Sequence, residues 1–142
     1  RGEKIIDQSD IDIDIGIYGF IPEDIIPQAE LRLSIYKEIS SIKENKNLEQ
    51  NKNDFVDRFG NVTSEIISLY ELSKLKNIAR KLNILSIKYR DEIFSLKLDD
   101  NSRLIPPSSE IREIKVSAKD IKSDRLTFIM SKLESFLNKN EI

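Results

Sequence analysis

The most regular hydrophobic pattern in the chain lies near its start. In residues 11–17, IDIDIGI, Ile11, Ile13, Ile15 and Ile17 alternate with Asp12, Asp14 and Gly16, the period-two signature of a half-buried strand. The period then changes. From Gln28 to about Ile42, apolar residues recur at Leu31, Ile35, Ile39 and Ile42, with Leu33 and Tyr36 broadening the stripe, which predicts an amphipathic helix. Pro22 and Pro27 mark the turns before it, and Pro27 suits the first helical position. A polar run at 44–47, ENKN, breaks the pattern. A second helix is predicted from about Leu48 to Phe59, with Gly60 as the residue just past its end. A third, capped by Thr63 or Ser64, reaches about Leu82. Its apolar face is so wide that it should be the best-buried helix, and Asn83 can end it in the left-handed conformation.

Beyond that helix, two alternating runs, Ile84 to Tyr89 and Ile93 to Leu98, flank a turn around Arg90 to Glu92 and predict a β-hairpin. DDNS at 99–102 and Pro106-Pro107 must be loop. EIREIKV, 110–116, alternates as a strand, and a last helix is expected over about Asp124 to Leu137, with the tail NKNEI fraying. The order is strand, three helices, hairpin, strand, helix. This is an α+β fold with a small mixed or antiparallel sheet packed with about four helices. No internal repeat or domain boundary is evident, so residues 1–142 read as a single domain, with the loop near 99–109 as its weakest joint.

Composition narrows the chemistry. With 23 basic and 25 acidic residues the formal charge is −2, which supplies no global field for attracting nucleic acid or an anionic membrane. Cysteine and histidine are both absent. That removes disulfides, thiolate metal sites, Ser-His and Cys-His nucleophile pairs and the usual general base near neutral pH. The four glycines form no phosphate-binding loop, and no apolar run approaches the roughly 20 residues needed to span a bilayer. No signal peptide is expected, and a start at Arg1 points to a segment of something longer. Asp12 and Asp14 are a possible metal pair, but strand alternation alone accounts for them. The expectation is a chain that is no enzyme by itself, with no catalytic residues, cofactor or metal.

One short stretch resists a purely local account. In NDFVDRFG, 53–60, Leu48, Phe55 and Phe59 lie within about 40° of one another on a helical wheel. Asp54 and Asp57 project about 120° and about 180° from that stripe, on one exposed side. Acids near a helix C-terminus oppose its dipole at a cost of a few tenths of a kcal/mol up to about 1, so helix stability does not call for them. Spacing leaves two readings open: a solvated face, or a docking surface made by Asp54 and Asp57, with Arg58 orienting the acids or bridging within the domain. Lys74, Lys76, Arg80 and Lys81 cluster on the last turns of the third helix, either as a dipole-matched face or as a phosphate-binding one.

Four pieces in order resemble a known family. FIPEDIIPQAELRLSIYKEIS, 20–40, contains an I-P-[ED]-x-[IY]-I-P motif at Ile21 to Pro27 and an R-L-S-x-Y-K-x-[IL] helix at Arg32 to Ile39. An [ED]-L-x-D-R-F-G motif follows at Asp54 to Gly60, and LKNIARKLNI, 75–84, is similar to L-[RK]-x-x-A-x-x-L-x-I. Together they resemble the C-terminal domain of bacterial transcription-repair coupling factor (Mfd), with the match running to about residue 98. After Leu98 it thins. Family members usually carry a longer, helix-bearing stretch before the final helix, whereas this chain has a shorter 99–118 region containing Pro106-Pro107. DRLTFIMSKLESFL, 124–137, again resembles the closing helix.

The resemblance implies a non-catalytic regulatory domain, with residues 1–10 as linker from a preceding motor. The parent would be a cytoplasmic, ATP-driven translocase on double-stranded DNA that displaces stalled RNA polymerase and recruits UvrA. At rest its C-terminal domain packs on a UvrB-like module of the same polypeptide, masking UvrA binding and restraining ATPase. The acids facing that module's arginines would be Asp54, where glutamate is usual, and Asp57. Two alternatives stay open: a module contacting nucleic acid or polymerase through the basic end of the third helix, and a small scaffold that stabilises its neighbours.

Overall fold

The computed structural model describes residues 11–140, so the linker expected at residues 1–10 lies outside the described residues. The elements are β1 (Asp12–Asp14), α1 (Ala29–Ser41), α2 (Asn45–Phe59), α3 (Ser64–Lys81), β2 (Ile84–Arg90), β3 (Ile93–Leu98), β4 (Glu113–Ser117) and α4 (Arg125–Asn140). This is the expected α+β architecture, four helices with a four-stranded mixed sheet. The domain divides into two compact units, residues 17–77 and residues 11–16 with 78–140. The division falls beside Gly16 and within α3, so the loop near 99–109, expected to be the weakest joint, lies inside one unit.

The sheet unit has strand order β1-β2-β3-β4, with β1 parallel to β2 and the other pairs antiparallel. β1 is shorter than the alternating 11–17 run because Gly16 turns the chain at φ +75. Ile11 and Ile15 are nonetheless buried as the pattern required. In β2 the pairing slips between Ile84 and Ser86, leaving Leu85 as an unpaired, half-exposed bulge. An extra residue shifts the side-chain period by one, which is how Ile84 and Ile87 both reach the core face. The hairpin turn is Asp91-Glu92, both at positive φ, as a two-residue turn matching strand twist demands. On the covered face Phe94 stacks on Phe128 of α4 with centroids 6.0 Å apart. On the solvated face Asp12 and Asp14 pair with Lys88 and Arg90, each at 3.7 Å.

β4 begins three residues later than expected. Arg112 donates instead to the carbonyls of Asp99 at 2.7 Å and Ser102 at 3.3 Å, while buried Ser102 donates to Leu82 O at 2.8 Å. The Pro106-Pro107 loop is thus tied down without a helix. α4 is capped by Asp124, whose carboxylate accepts from Thr127 N at 2.8 Å. It runs on to Asn140, so residues 138–140 of the tail expected to fray are helical; Glu141 and Ile142 lie outside the described residues.

The helical unit, residues 17–77, is built on the first family-like motif. Pro22 O accepts from the N–H groups of Ile25 and Ile26, and Ile21 and Ile26 are buried. Gln28, not Pro27, is the N-cap of α1, so Pro27 stands outside the helix. Arg32 then reaches back to the carbonyls of Ile26 at 2.8 Å and Pro27 at 3.0 Å, and Tyr36 Oη accepts from Ile21 N at 2.7 Å. Ile35 and Ile39 carry the buried stripe, whereas Leu33, expected to widen it, is 54% exposed. Gly19 passes so close to α3 that a Cβ there would lie 2.3 Å from Leu69 N. α3 is capped by Thr63, whose Oγ1 accepts from Ile66 N at 3.3 Å, and Asn83 closes it at φ 57. It is the best-buried helix, as expected: in 64–81 only Ser64, Ile67 and Lys81 are exposed.

Candidate functional site

α2 starts at Asn45, three residues before the expected Leu48. Glu44 O accepts from Asn47 N and Leu48 N to close the first turn. Asn45 Oδ1 accepts from Asn77 and its amide donates to Lys74 O, so part of the ENKN run is helix anchored to α3. At the other end Gly60 adopts φ 79 and its N–H bonds Val56 O at 2.7 Å. No atom lies within 4 Å of a Cβ built there; glycine serves the backbone angle alone. Leu48 and Phe55 are buried and Phe59 packs against the same core, with the Phe55 and Phe59 rings 4.7 Å apart.

The wheel geometry of the sequence holds. Asp54, Asp57 and Arg58 are all exposed. Asp54 and Arg58 meet at a cleft between α1 and α2, lined also by Ile35, Glu38, Asn51, Phe55 and Phe59. Asp57 lies outside that lining, so the three expected residues do not form one cluster. Arg58 neither orients the acids nor bridges to them: its guanidinium sits 4.9 Å above the Phe59 ring. Asp54 Oδ1 accepts only from Gln50 at 3.0 Å. Among the described residues neither acid has an ion-pair partner.

From the cleft wall a chain of polar contacts that no spacing in the sequence signals runs inward to α3. Tyr70, fully buried, donates from Oη to Asn51 Oδ1 at 2.6 Å, and Asn51 donates to Glu38 Oε2 at 2.8 Å. Burial, followed by the charges of Glu38 and Asp54, pushes the Tyr70 hydroxyl pKa up to about 12. Three residues on three helices meet here, and only tertiary packing brings them together.

Of the four basic residues at the end of α3, Lys74 is committed within the domain. Lys74 is pinned between Glu49 at 2.5 Å and Glu71 at 3.1 Å. Burial works to lower its pKa, but the bonds to the two glutamates win and hold it above its ordinary value. Among the described residues no group of His, Cys, Asp or Glu is arranged to hold a metal, and no helix is long and apolar enough to cross a membrane.

Comparison with known proteins turns this geometry into a family assignment. The family model described as the TRCF domain matches residues 15–108. The transcription-repair-coupling factor of Rickettsia bellii is 26% identical over 121 residues, covering 85% of this chain and 11% of that protein. That of Borreliella burgdorferi is 30% identical over 113 residues, covering 80% and 10%. That of Escherichia coli is 34% identical over 73 residues, covering 51% and 6%. The chain thus spans about a tenth or less of the length of these relatives. A crystal structure of the C-terminal domain of transcription-repair coupling factor superposes with a TM-score of 0.75 at 20% identity, covering 91% of this chain and 92% of that one, which shows a shared fold. The family model stops at residue 108, ahead of β4 and α4, while the structural match covers nearly the whole chain. The chain belongs to the TRCF-domain family, the C-terminal domain of bacterial transcription-repair coupling factors.

Proposed function

We propose that this domain is a non-catalytic autoinhibitory element of a transcription-repair coupling factor. It docks on the UvrB-like module of the same polypeptide, masks UvrA binding and restrains a cytoplasmic, ATP-dependent translocase that acts on double-stranded DNA and stalled RNA polymerase. The observation that carries this reading is the exposure of Asp54 and Asp57, unpaired, on the turns of α2 where the helix dipole disfavours them. A cationic partner surface gives both carboxylates a use. An exposed pair contributes roughly 0–1 kcal/mol, more when partly desolvated and hydrogen-bonded to arginine. Two such pairs suit a latch that must open, since regulatory couplings typically run about 1–3 kcal/mol. The alternative of nucleic-acid binding through the end of α3 is weakened by Lys74, whose ammonium is already shared by two glutamates.

The test is the full-length protein carrying Asp54→Lys and Asp57→Lys. Basal ATPase and UvrA binding should both rise about fivefold or more. Unchanged values for both would end the docking reading.

A further inference from the structure

The cleft between α1 and α2 has carboxylates on both helices, Glu38 and Asp54, and apolar side chains in its lining, Ile35, Phe55 and Phe59. We propose that it receives one arginine side chain of the docked module, with the methylenes on the apolar lining and the guanidinium between Glu38 and Asp54. This rests on the docking reading above and adds to it a residue of α1 that no motif of the family resemblance singles out.

Three features select an arginine. The first is the state of the acids. Glu38 accepts from Asn51 through Oε2 and Asp54 accepts from Gln50 through Oδ1, so each keeps its second oxygen for an incoming donor. A planar guanidinium, with five donors in a fixed fork, can serve two carboxylates at once, as a compact ammonium cannot. The second is the position of Arg58. The cleft's own cation rests on Phe59 and neutralises neither acid, so the negative charge remains available while an aromatic edge lines the site. The third is pre-organisation. Asn51 fixes Glu38 and is itself fixed by the buried Tyr70 hydroxyl, so little rotamer freedom is lost on binding. Asn51 is a positioning residue; Glu38 is the docking contact. The raised Tyr70 pKa, with both Glu38 and Asp54 among its causes after burial, agrees with two charges converging on one place.

The experiment uses the full-length protein. Glu38→Gln keeps an oxygen for Asn51 and removes only the charge. Basal ATPase should rise about two- to fivefold, the range that one partly exposed charge pair supports, with an unchanged melting temperature. In the wild type, added salt should raise basal ATPase by screening the latch; in Glu38→Gln that rise should flatten. Wild-type ATPase and salt response in Glu38→Gln, alongside activation by Asp54→Lys with Asp57→Lys, would overturn the arginine cleft and leave docking intact. Silence in both variants would remove both. Should Glu38→Gln also lower the melting temperature, the salt profile decides: a lost docking charge flattens it, whereas a merely loosened domain leaves it steep.

Discussion

Tyr70 and Asn51 are joined by a 2.6 Å hydrogen bond between a fully buried hydroxyl and a half-buried amide oxygen. The bond ties the middle of α3 to α2 and, through Glu38, to α1. Asn51 and Glu38 both line the cleft between α1 and α2, so the order of that surface depends on a hydroxyl buried out of reach of solvent.

The same bond makes the fold sensitive to alkali. The folded pKa of Tyr70 is raised to about 12 from 10.0, by burial first and then by Glu38 and Asp54. A raised pKa means that the folded state holds the proton more tightly than the unfolded chain. The contribution is therefore complete below pH 10 and lost as pH climbs toward 12. Between those values the wild type should lose up to about 2–3 kcal/mol through this group. Tyr70→Phe, less stable at pH 7 by about 1 kcal/mol, should lose distinctly less over the same interval in denaturant titrations. Parallel losses would refute the assignment.

Two glycines should respond very differently to alanine. At Gly19 the new methyl would overlap the backbone of Leu69, which has no rotamer through which to yield. Gly19→Ala should cost about 3 kcal/mol or more, as overpacking against backbone does. At Gly60 the space is open and only the φ of 79 resists, so Gly60→Ala should cost about 1–2 kcal/mol. Equal effects in thermal melts would contradict this reading.

Arg32 should be a fold residue and no contact residue. It holds the carbonyls of Ile26 and Pro27, and charged hydrogen bonds of this kind contribute about 1.5–3 kcal/mol. Arg32→Ala should lower stability by that amount. Arg32→Lys should recover only part of it, because a single ammonium replaces a planar head. A fully stable Arg32→Ala variant would show that the loop needs no clamp.

Lys74 should matter for stability and not for nucleic acid. Lys74→Met should leave DNA affinity and its salt slope unchanged, whereas a phosphate contact would reduce that slope by about 1. Its partner Glu49 has a pKa lowered mainly by the Lys74 hydrogen bond. That stabilisation is present above the ordinary carboxylate value of 4.5 and is lost as pH falls through the folded pKa. The acid limb of the stability curve should therefore be shallower in Lys74→Met than in the wild type.

Hydrophobic period determined which segments are helix and which are strand, and it placed both acids of α2 off the buried stripe that holds Phe55. Glycine and asparagine chemistry marked the ends of α2 and α3, because left-handed residues are a local matter. The first two family motifs were legible for the same reason: Arg32, Tyr36 and the two prolines act within some fifteen residues of one another, and their role is to build a loop. What the sequence left undecided depends on distant partners. The bulge at Leu85, the burial of Ser102 beneath Leu82, and the start of α2 at Asn45 all follow from hydrogen bonds between elements. So does the cleft: Glu38, Asn51 and Tyr70 are unremarkable on their own helices and are joined only when three helices close around one buried hydroxyl.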